Sequence, residues 1–192
     1  MKIDQVLEIC YSDSKNQYIQ NLFEFVREIP YEINWAYSPE LLLERWKWYC
    51  VSKHRLLKAL FAKIEIKSYL VYISFKFENI YLPKELLNWW LANKKWYHVY
   101  LKADMGNWLI NIDASFPKLS KKYYRVNDNR DWKLSQKISV GDNIIQEYII
   151  EDDDMEKRVK NEISDIDWSN PDNTKRIWLF NQRMNDLNSC IQ

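Results

Sequence analysis

The sequence predicts an α+β protein in which a helix that starts at a cysteine packs on an antiparallel sheet carrying a histidine and an aspartate. Three observations predict it. From Cys50 onward, Leu56, Leu57, Leu60 and Phe61 recur at one-and-four spacing, the apolar stripe of an α-helix. From Ile66 to Phe77 the chain alternates. Tyr69, Val71, Ile73, Phe75 and Phe77 fall on one side and Leu70, Tyr72, Ser74 and Lys76 on the other, with the β-branched and aromatic enrichment of a strand. Two further runs, Trp96 to Ala103 and Asn107 to Ala114, flank Asp104-Met105-Gly106-Asn107, which reads as a hairpin turn.

The remaining elements follow in order. Met1 to Ile29 reads as mainly helical, with Tyr18, Leu22, Phe25, Val26 and Ile29 on one face and Ile19 and Phe23 widening it. Pro30 and Tyr31-Glu32-Ile33 break into extended chain. At Ser38-Pro39-Glu40 a serine cap, a first-turn proline and an acidic residue start a helix that runs to about Lys47 and buries Leu42 and Trp46. Pro83 opens another helix, to about Asn93, whose Trp89-Trp90 pair reads as core. Pro117 to Gly141 has no clean period and reads as loop. Ile144 to Ile150 reads as a strand, and Met155 to Ile163 and Thr174 to Leu187 as helices, the last preceded by a turn at Asn170-Pro171-Asp172-Asn173. With no internal repeat, low-complexity tract or interdomain linker, residues 1–192 read as one domain. Its core spans about 20–117 and an extension spans about 118–192.

Composition excludes several classes. Only Gly106 and Gly141 are present, so no glycine-rich phosphate loop can be written. A net charge of +1 gives no global field for nucleic acid or a membrane surface. Charge is uneven, with seven basic residues between Pro117 and Lys137 and eight acidic ones between Glu151 and Asp167, and these runs read as solvated faces. Three distant cysteines, Cys10, Cys50 and Cys190, make a disulfide scaffold unlikely to form and fit a reducing compartment. No basic segment followed by an apolar run opens the chain and no long apolar stretch interrupts it, so a cytoplasmic, soluble protein is expected.

The chemistry centres on Cys50. At a helix N-terminus the macrodipole and free N–H groups favour an anion, and the thiolate is the nucleophilic form of cysteine. His98, Tyr100 and Lys102 share a strand face, as do Asn111 and Asp113 on the next strand. If these faces match, Asp113 lies beside His98, where a carboxylate fixes the imidazole tautomer and favours the imidazolium. A helix with Cys50 at its start then points sulfur at the imidazole, giving a Cys-His-Asp arrangement. The Cys50 backbone N–H supplies one oxyanion donor, and the Trp35 indole N–H and Asn34 are candidates for the second. Cys50 and His54 also stand four apart, a spacing seen in metal sites. Two histidines and three scattered cysteines do not complete a ligand set, so no metal or cofactor is expected and His54 reads as a half-exposed helix residue. Cys10 and Cys190 read as buried or incidental.

Three blocks resemble the transglutaminase-like superfamily, which shares the papain-like cysteine protease fold. The first is Phe25-Val26-Arg27-Glu28-Ile29-Pro30-Tyr31 with the helix of Pro39-Glu40-Leu41-Leu42-Leu43. The second is Cys50-Val51-Ser52-Lys53 with Leu56 to Phe61. The third runs from His98-Val99-Tyr100-Leu101 through Gly106-Asn107-Trp108 to Asn111-Ile112-Asp113-Ala114-Ser115. The resemblance implies a catalytic triad of Cys50, His98 and Asp113. It also implies thiol-dependent acyl transfer on amide or peptide bonds, as a protease, amidase or transglutaminase-like enzyme with a peptide or protein substrate. The sequence departs from the family in two places: Trp48-Tyr49 stand where members often carry Gly ahead of the cysteine, and Lys63-Ile64-Glu65 replace a Gly after the helix. The alternative is a catalytically inactive module of the same fold that binds a peptide or protein partner.

Overall fold

The helical period after Cys50 and the alternation after Ile66 both become structure. The computed structural model describes residues 1–32, 43, 49–76, 95–122, 124–128, 131–142, 144–164, 169, 175, 178–182 and 184–186; for 95, 96, 159 and 162–164 only the backbone is described. The elements are α1 (Ile3–Cys10), α2 (Lys15–Glu28), α3 (Cys50–Lys63), β1 (Ser68–Lys76), β2 (Lys95–Asp104), β3 (Leu109–Ile112), a 3-10 turn (Lys118–Lys122), β4 (Ile144–Ile150) and α4 (Asp152–Ser164). The protein is thus α+β, with one four-stranded antiparallel sheet in the order β3-β2-β1-β4.

Both faces of the sheet are covered. On one, Leu70, Tyr72, Val99, Leu101, Ile110 and Ile112 join Leu22, Phe23 and Val26 of α2 and Leu56, Leu57, Leu60 and Phe61 of α3 in a single core. On the other, Val71, Ile73, Phe75 and Tyr100 pack against Ile138 and Val140. The alternation of β1 therefore separates two apolar faces. The stretch after Pro117, which has no period, supplies the second cover.

Several boundaries differ from expectation for local reasons. The helical run of residues 1–29 is two helices. At the break, Ser12 Oγ accepts from the Ser14 N–H at 3.3 Å and Asp13 accepts from the Tyr11 hydroxyl at 2.9 Å, short polar bonds that compete with helical ones. The strand expected over Asn107 to Ala114 keeps only Leu109–Ile112, because the backbone N–H groups of Asp113 and Ala114 go to Gln136 and His54 instead. The helix α4 starts at Asp152, before Met155, with three aspartates in its first turn where the dipole favours negative charge.

The β2–β3 turn is the expected one: Gly106 takes φ 96°, and its N–H donates to Asp104 Oδ1 at 2.8 Å. Leu43 is helical and buried, and residues 178–182 and 184–186 are helical within the expected final helix. The rest of the Pro39 helix, the Pro83 helix with Trp89-Trp90, the turn at 170–173, Asn34, Trp35 and Cys190 lie outside the described residues. Among the described residues no helix is long and apolar enough to cross a membrane.

Candidate active site

The first turn of α3 meets the end of β3 where the sheet opens. The β2–β3 ladder stops at Leu101 and Ile112, and continuing its register would set Ser115 opposite His98. The chain instead leaves the sheet at Asp113, and the Ala114 N–H turns to His54 of α3.

Two buried cationic or basic side chains hold it there. Lys53, fully buried, donates from Nζ to the carbonyls of Arg27, Ile29 and Ser115, each at 2.8 Å. Burial pushes its pKa well down. Only the ammonium form has three N–H groups for three carbonyls, however, so the bonding pattern keeps Lys53 protonated. His54, expected half-exposed, is fully buried. Its Nδ1–H donates to the Cys50 carbonyl at 2.7 Å, and its Nε2 accepts from the Ala114 N–H at 2.9 Å. Both partners fix the tautomer, and burial lowers the pKa to about 4, against the opposing Asp113 charge, so the ring is neutral. With both nitrogens taken by backbone, His54 is a brace between Cys50 and the end of β3.

Asp113 is the electrostatic centre. Its Oδ2 accepts from His98 Nε2 at 2.9 Å and from the Ser139 N–H at 2.8 Å. Its Oδ1 accepts from the Ser115 hydroxyl at 2.6 Å and the Ser115 N–H at 3.1 Å, with His54 Nε2 at 3.6 Å. Burial opposes ionisation, but the His98 charge and these donors outweigh it and hold the carboxyl well below the usual range. Its own backbone is fixed as well: the Asp113 N–H donates to Gln136 Oε1 at 2.8 Å, and Asn127 Nδ2 donates to its carbonyl at 3.2 Å.

His98 is buried on β2, where it pairs with Ile73 of β1. Burial alone would lower its pKa. The charge of Asp113, its hydrogen bond and the adjoining Cys50 thiol reverse this and raise it to about 10.

Cys50 opens α3 and is 6% exposed, next to the N-cap Tyr49, whose side chain makes no cap bond to the helix. Tyr31, also buried, adjoins Cys50, and burial together with the Cys50 thiol raises its phenol pKa well above the usual tyrosine range. The tyrosine ring packs on Phe116, with centroids 4.9 Å apart, and meets Phe180 edge-on at 6.0 Å.

The site thus gathers a thiol, an imidazolium and a buried carboxylate whose charge keeps the imidazolium protonated. Of the residues singled out from sequence, Cys50, His98 and Asp113 come together, while Asn34 and Trp35 lie outside the described residues. Sequence reasoning missed Tyr31, Ser115, Ser139 and the role of His54. The one available signal was Tyr31 at the Pro30 break. Ser139, in the aperiodic stretch, acts on Asp113 through its backbone N–H and sets its hydroxyl 3.4 Å from His98 Nε2. No family model matches the chain, and no curated protein matches it closely enough to count as a relative.

Proposed function

We propose that the protein is a thiol-dependent acyl-transfer enzyme of the transglutaminase-like, papain-like type, acting on amide or peptide bonds through Cys50, His98 and Asp113. One observation carries the reading: the buried series from the Cys50 thiol through the His98 imidazole to the Asp113 carboxylate, with His98 held protonated up to about pH 10. In the reaction, Cys50 gives up its thiol proton to solvent, since His98 already carries one, and the resulting thiolate Sγ forms a bond to the carbonyl carbon. The electron pair moves to oxygen and returns as the C–N bond breaks, and the His98 proton passes to the departing amine. A thioester remains on Cys50. Water or a second amine then attacks it, gives a proton to His98 and releases the acid or the exchanged amide. Asp113 stays ionised throughout and orients the ring.

A second reading, a module of the same fold that binds a peptide or protein without turnover, is favoured by the enclosure of the site: Cys50 is 6% and His98 3% exposed. The test is the rate of Cys50 alkylation by iodoacetamide in mildly acidic buffer, read by peptide mass spectrometry. Cys10 is the internal control, its thiol pushed up by burial to about 11. Cys50 is expected to react at least about 100-fold faster than Cys10 there, and His98→Ala to remove the advantage. Equal rates for the two cysteines would sink the enzyme reading and leave the binding module.

A further inference from the structure

The stretch 136–142, aperiodic in sequence, is tied down at several points beside the His98–Asp113 pair. The Gln136 N–H donates to the Asn111 carbonyl at 2.8 Å, and Gln136 Oε1 accepts from the Asp113 N–H at 2.8 Å. Asn127 Nδ2 donates to the Lys137 carbonyl at 2.9 Å, and Arg125 Nη1 to the Ile138 carbonyl at 3.2 Å. Ile138 and Val140 pack on the face of the sheet that carries Ile73, the neighbour of His98. The Gly141 N–H closes a turn on the Ile138 carbonyl at 3.1 Å, with Gly141 at φ 97°. In such a four-residue turn the N–H of the second residue takes no part in the closing bond. That residue is Ser139. Its N–H is left over for Asp113 Oδ2, to which it donates at 2.8 Å, and its hydroxyl oxygen stands 3.4 Å from His98 Nε2.

We propose that Ser139 is a positioning residue for the proton donor, fixing His98 and Asp113 against each other from a third segment of the chain. The proposal rests on the thiol-enzyme reading above. The N–H stabilises the charge on Oδ2, and the hydroxyl oxygen, beside the Nε2–H, gives the imidazolium a second acceptor. Ser115 also reaches both groups, 3.5 Å from Nε2 and 2.6 Å from Oδ1, but it follows Asp113 by two residues and moves with it. Ser139 instead ties the pair to the cover of the sheet. With Nε2–H enclosed by a carboxylate and two hydroxyls, the ring exchanges a proton with reacting groups through its other nitrogen. The tautomer that accepts a proton in the second half of the reaction is thereby set in advance. The titratable groups facing the pair, Cys50, Lys53 and His54 of α3 and Tyr100 of β2, are untouched by a change at Ser139.

The test is the titration of His98, followed by NMR of its ring protons, beside the pH dependence of deacylation. p-Nitrophenyl acetate acetylates Cys50: the C–S bond forms, the carbonyl pair moves to oxygen and returns, and p-nitrophenolate leaves with its electron pair. His98 keeps its proton in that step, so hydrolysis of the thioester waits for the neutral ring. Loss of acetyl-Cys50, read by peptide mass spectrometry once the reagent is removed, then rises with pH along the His98 titration. Ser139→Ala removes the hydroxyl and keeps the N–H. Both curves are expected to move to lower pH by roughly half a pH unit, and Ser139→Thr, which keeps a hydroxyl, to restore both. A lower urea midpoint with the His98 titration unmoved would make Ser139 a purely structural residue and overturn the proposal. A His98 titration that moves while Cys50 never takes the acetyl group upholds the positioning and removes the thiol-enzyme reading, a separate outcome. Should Ser139→Ala lose its cooperative unfolding transition, Arg125→Gln releases the Ile138 carbonyl from outside the site. Loss of that cation alone would raise the His98 pKa, whereas a loosened Ser139 lowers it. A downward move therefore supports the proposal, and an upward or absent one overturns it.

Discussion

At the scale of residues, the site is a competition between two histidines for one carboxylate. His98 and His54 sit with ring centroids 6.2 Å apart, nearly perpendicular, on either side of Asp113. Burial lowers both. His98 gains a direct bond to Oδ2, whereas His54 has already committed its Nε2 to the Ala114 N–H. An imidazole that accepts a hydrogen bond from backbone cannot also carry a proton at that nitrogen. The Asp113 charge therefore falls to His98, and the partition between one imidazolium and one neutral ring is set by backbone hydrogen bonds. Asp113→Asn tests this. The amide keeps the shape but removes the charge, and its NH2 group replaces one oxygen, so it faces either the donors of Ser115 or the N–H of Ser139. The His98 ring is expected to titrate below its ordinary 6.5 instead of near 10, followed by NMR of its ring protons. Denaturant unfolding should show a loss of about 1–3 kcal/mol, the cost of a buried donor left without an acceptor.

At the scale of elements, what was legible followed from regular side-chain period. The stripe of α3, the alternation of β1 and the turn at Gly106 each arise from residues acting through their own position in a repeat, so the sequence displays them. His98 and Asp113 were legible as a pair because hairpin geometry constrains which residues approach. Their supports were not. Gln136, Ser139 and Asn127 reach Asp113 from an aperiodic stretch, partly through backbone groups that every sequence possesses. The burial of His54 and Lys53 was hidden by their polarity alone, since they stand three and four residues before Leu57 and continue the apolar stripe of α3. Their side chains are satisfied by backbone carbonyls and N–H groups, all but the Cys50 carbonyl on other parts of the chain.

The end of α3 shows the same limit and yields a prediction. Glu65 takes φ 61°, a left-handed conformation, after Ile64, where the N–H groups of Ile64, Glu65 and Ile66 turn back to the carbonyls of Phe61 and Ala62. A side chain in that region costs about 1–2 kcal/mol that glycine does not incur, partly offset by glycine's greater freedom when unfolded. Glu65→Gly is therefore expected to stabilise the protein by up to about 1 kcal/mol, seen as a higher denaturation midpoint with an unchanged slope. A lower midpoint would mean that Glu65 makes a contact worth more than the strain.

At the scale of the whole molecule, these buried groups give the fold a stability that peaks in pH. His54 is neutral when folded, with a pKa lowered to about 4, but takes a proton near 6.5 when unfolded. Between those values the unfolded chain holds more protons, so stability rises with pH. His98 behaves in the opposite way. Its pKa is raised from 6.5 to about 10, so the stability it contributes is complete below 6.5 and is lost as pH rises toward 10. Cys10 adds to the alkaline side, since its thiol, pushed up to about 11, keeps a proton that the unfolded chain gives up earlier. Asp113, held below the ordinary carboxylate range, adds a loss in strong acid. The sum is a maximum close to pH 6.5, with a decline on each side driven by a different histidine. Urea midpoints measured from about pH 5 to about pH 9 should trace that dome. In Asp113→Asn the decline from 6.5 up to the thiol range should vanish, because His98 no longer holds its extra proton, while the acid-side decline due to His54 remains. A wild-type midpoint that is flat or still rising above pH 7 would mean that His98 is not held as an imidazolium, and the proton donor at the centre of the proposed chemistry would be lost with it.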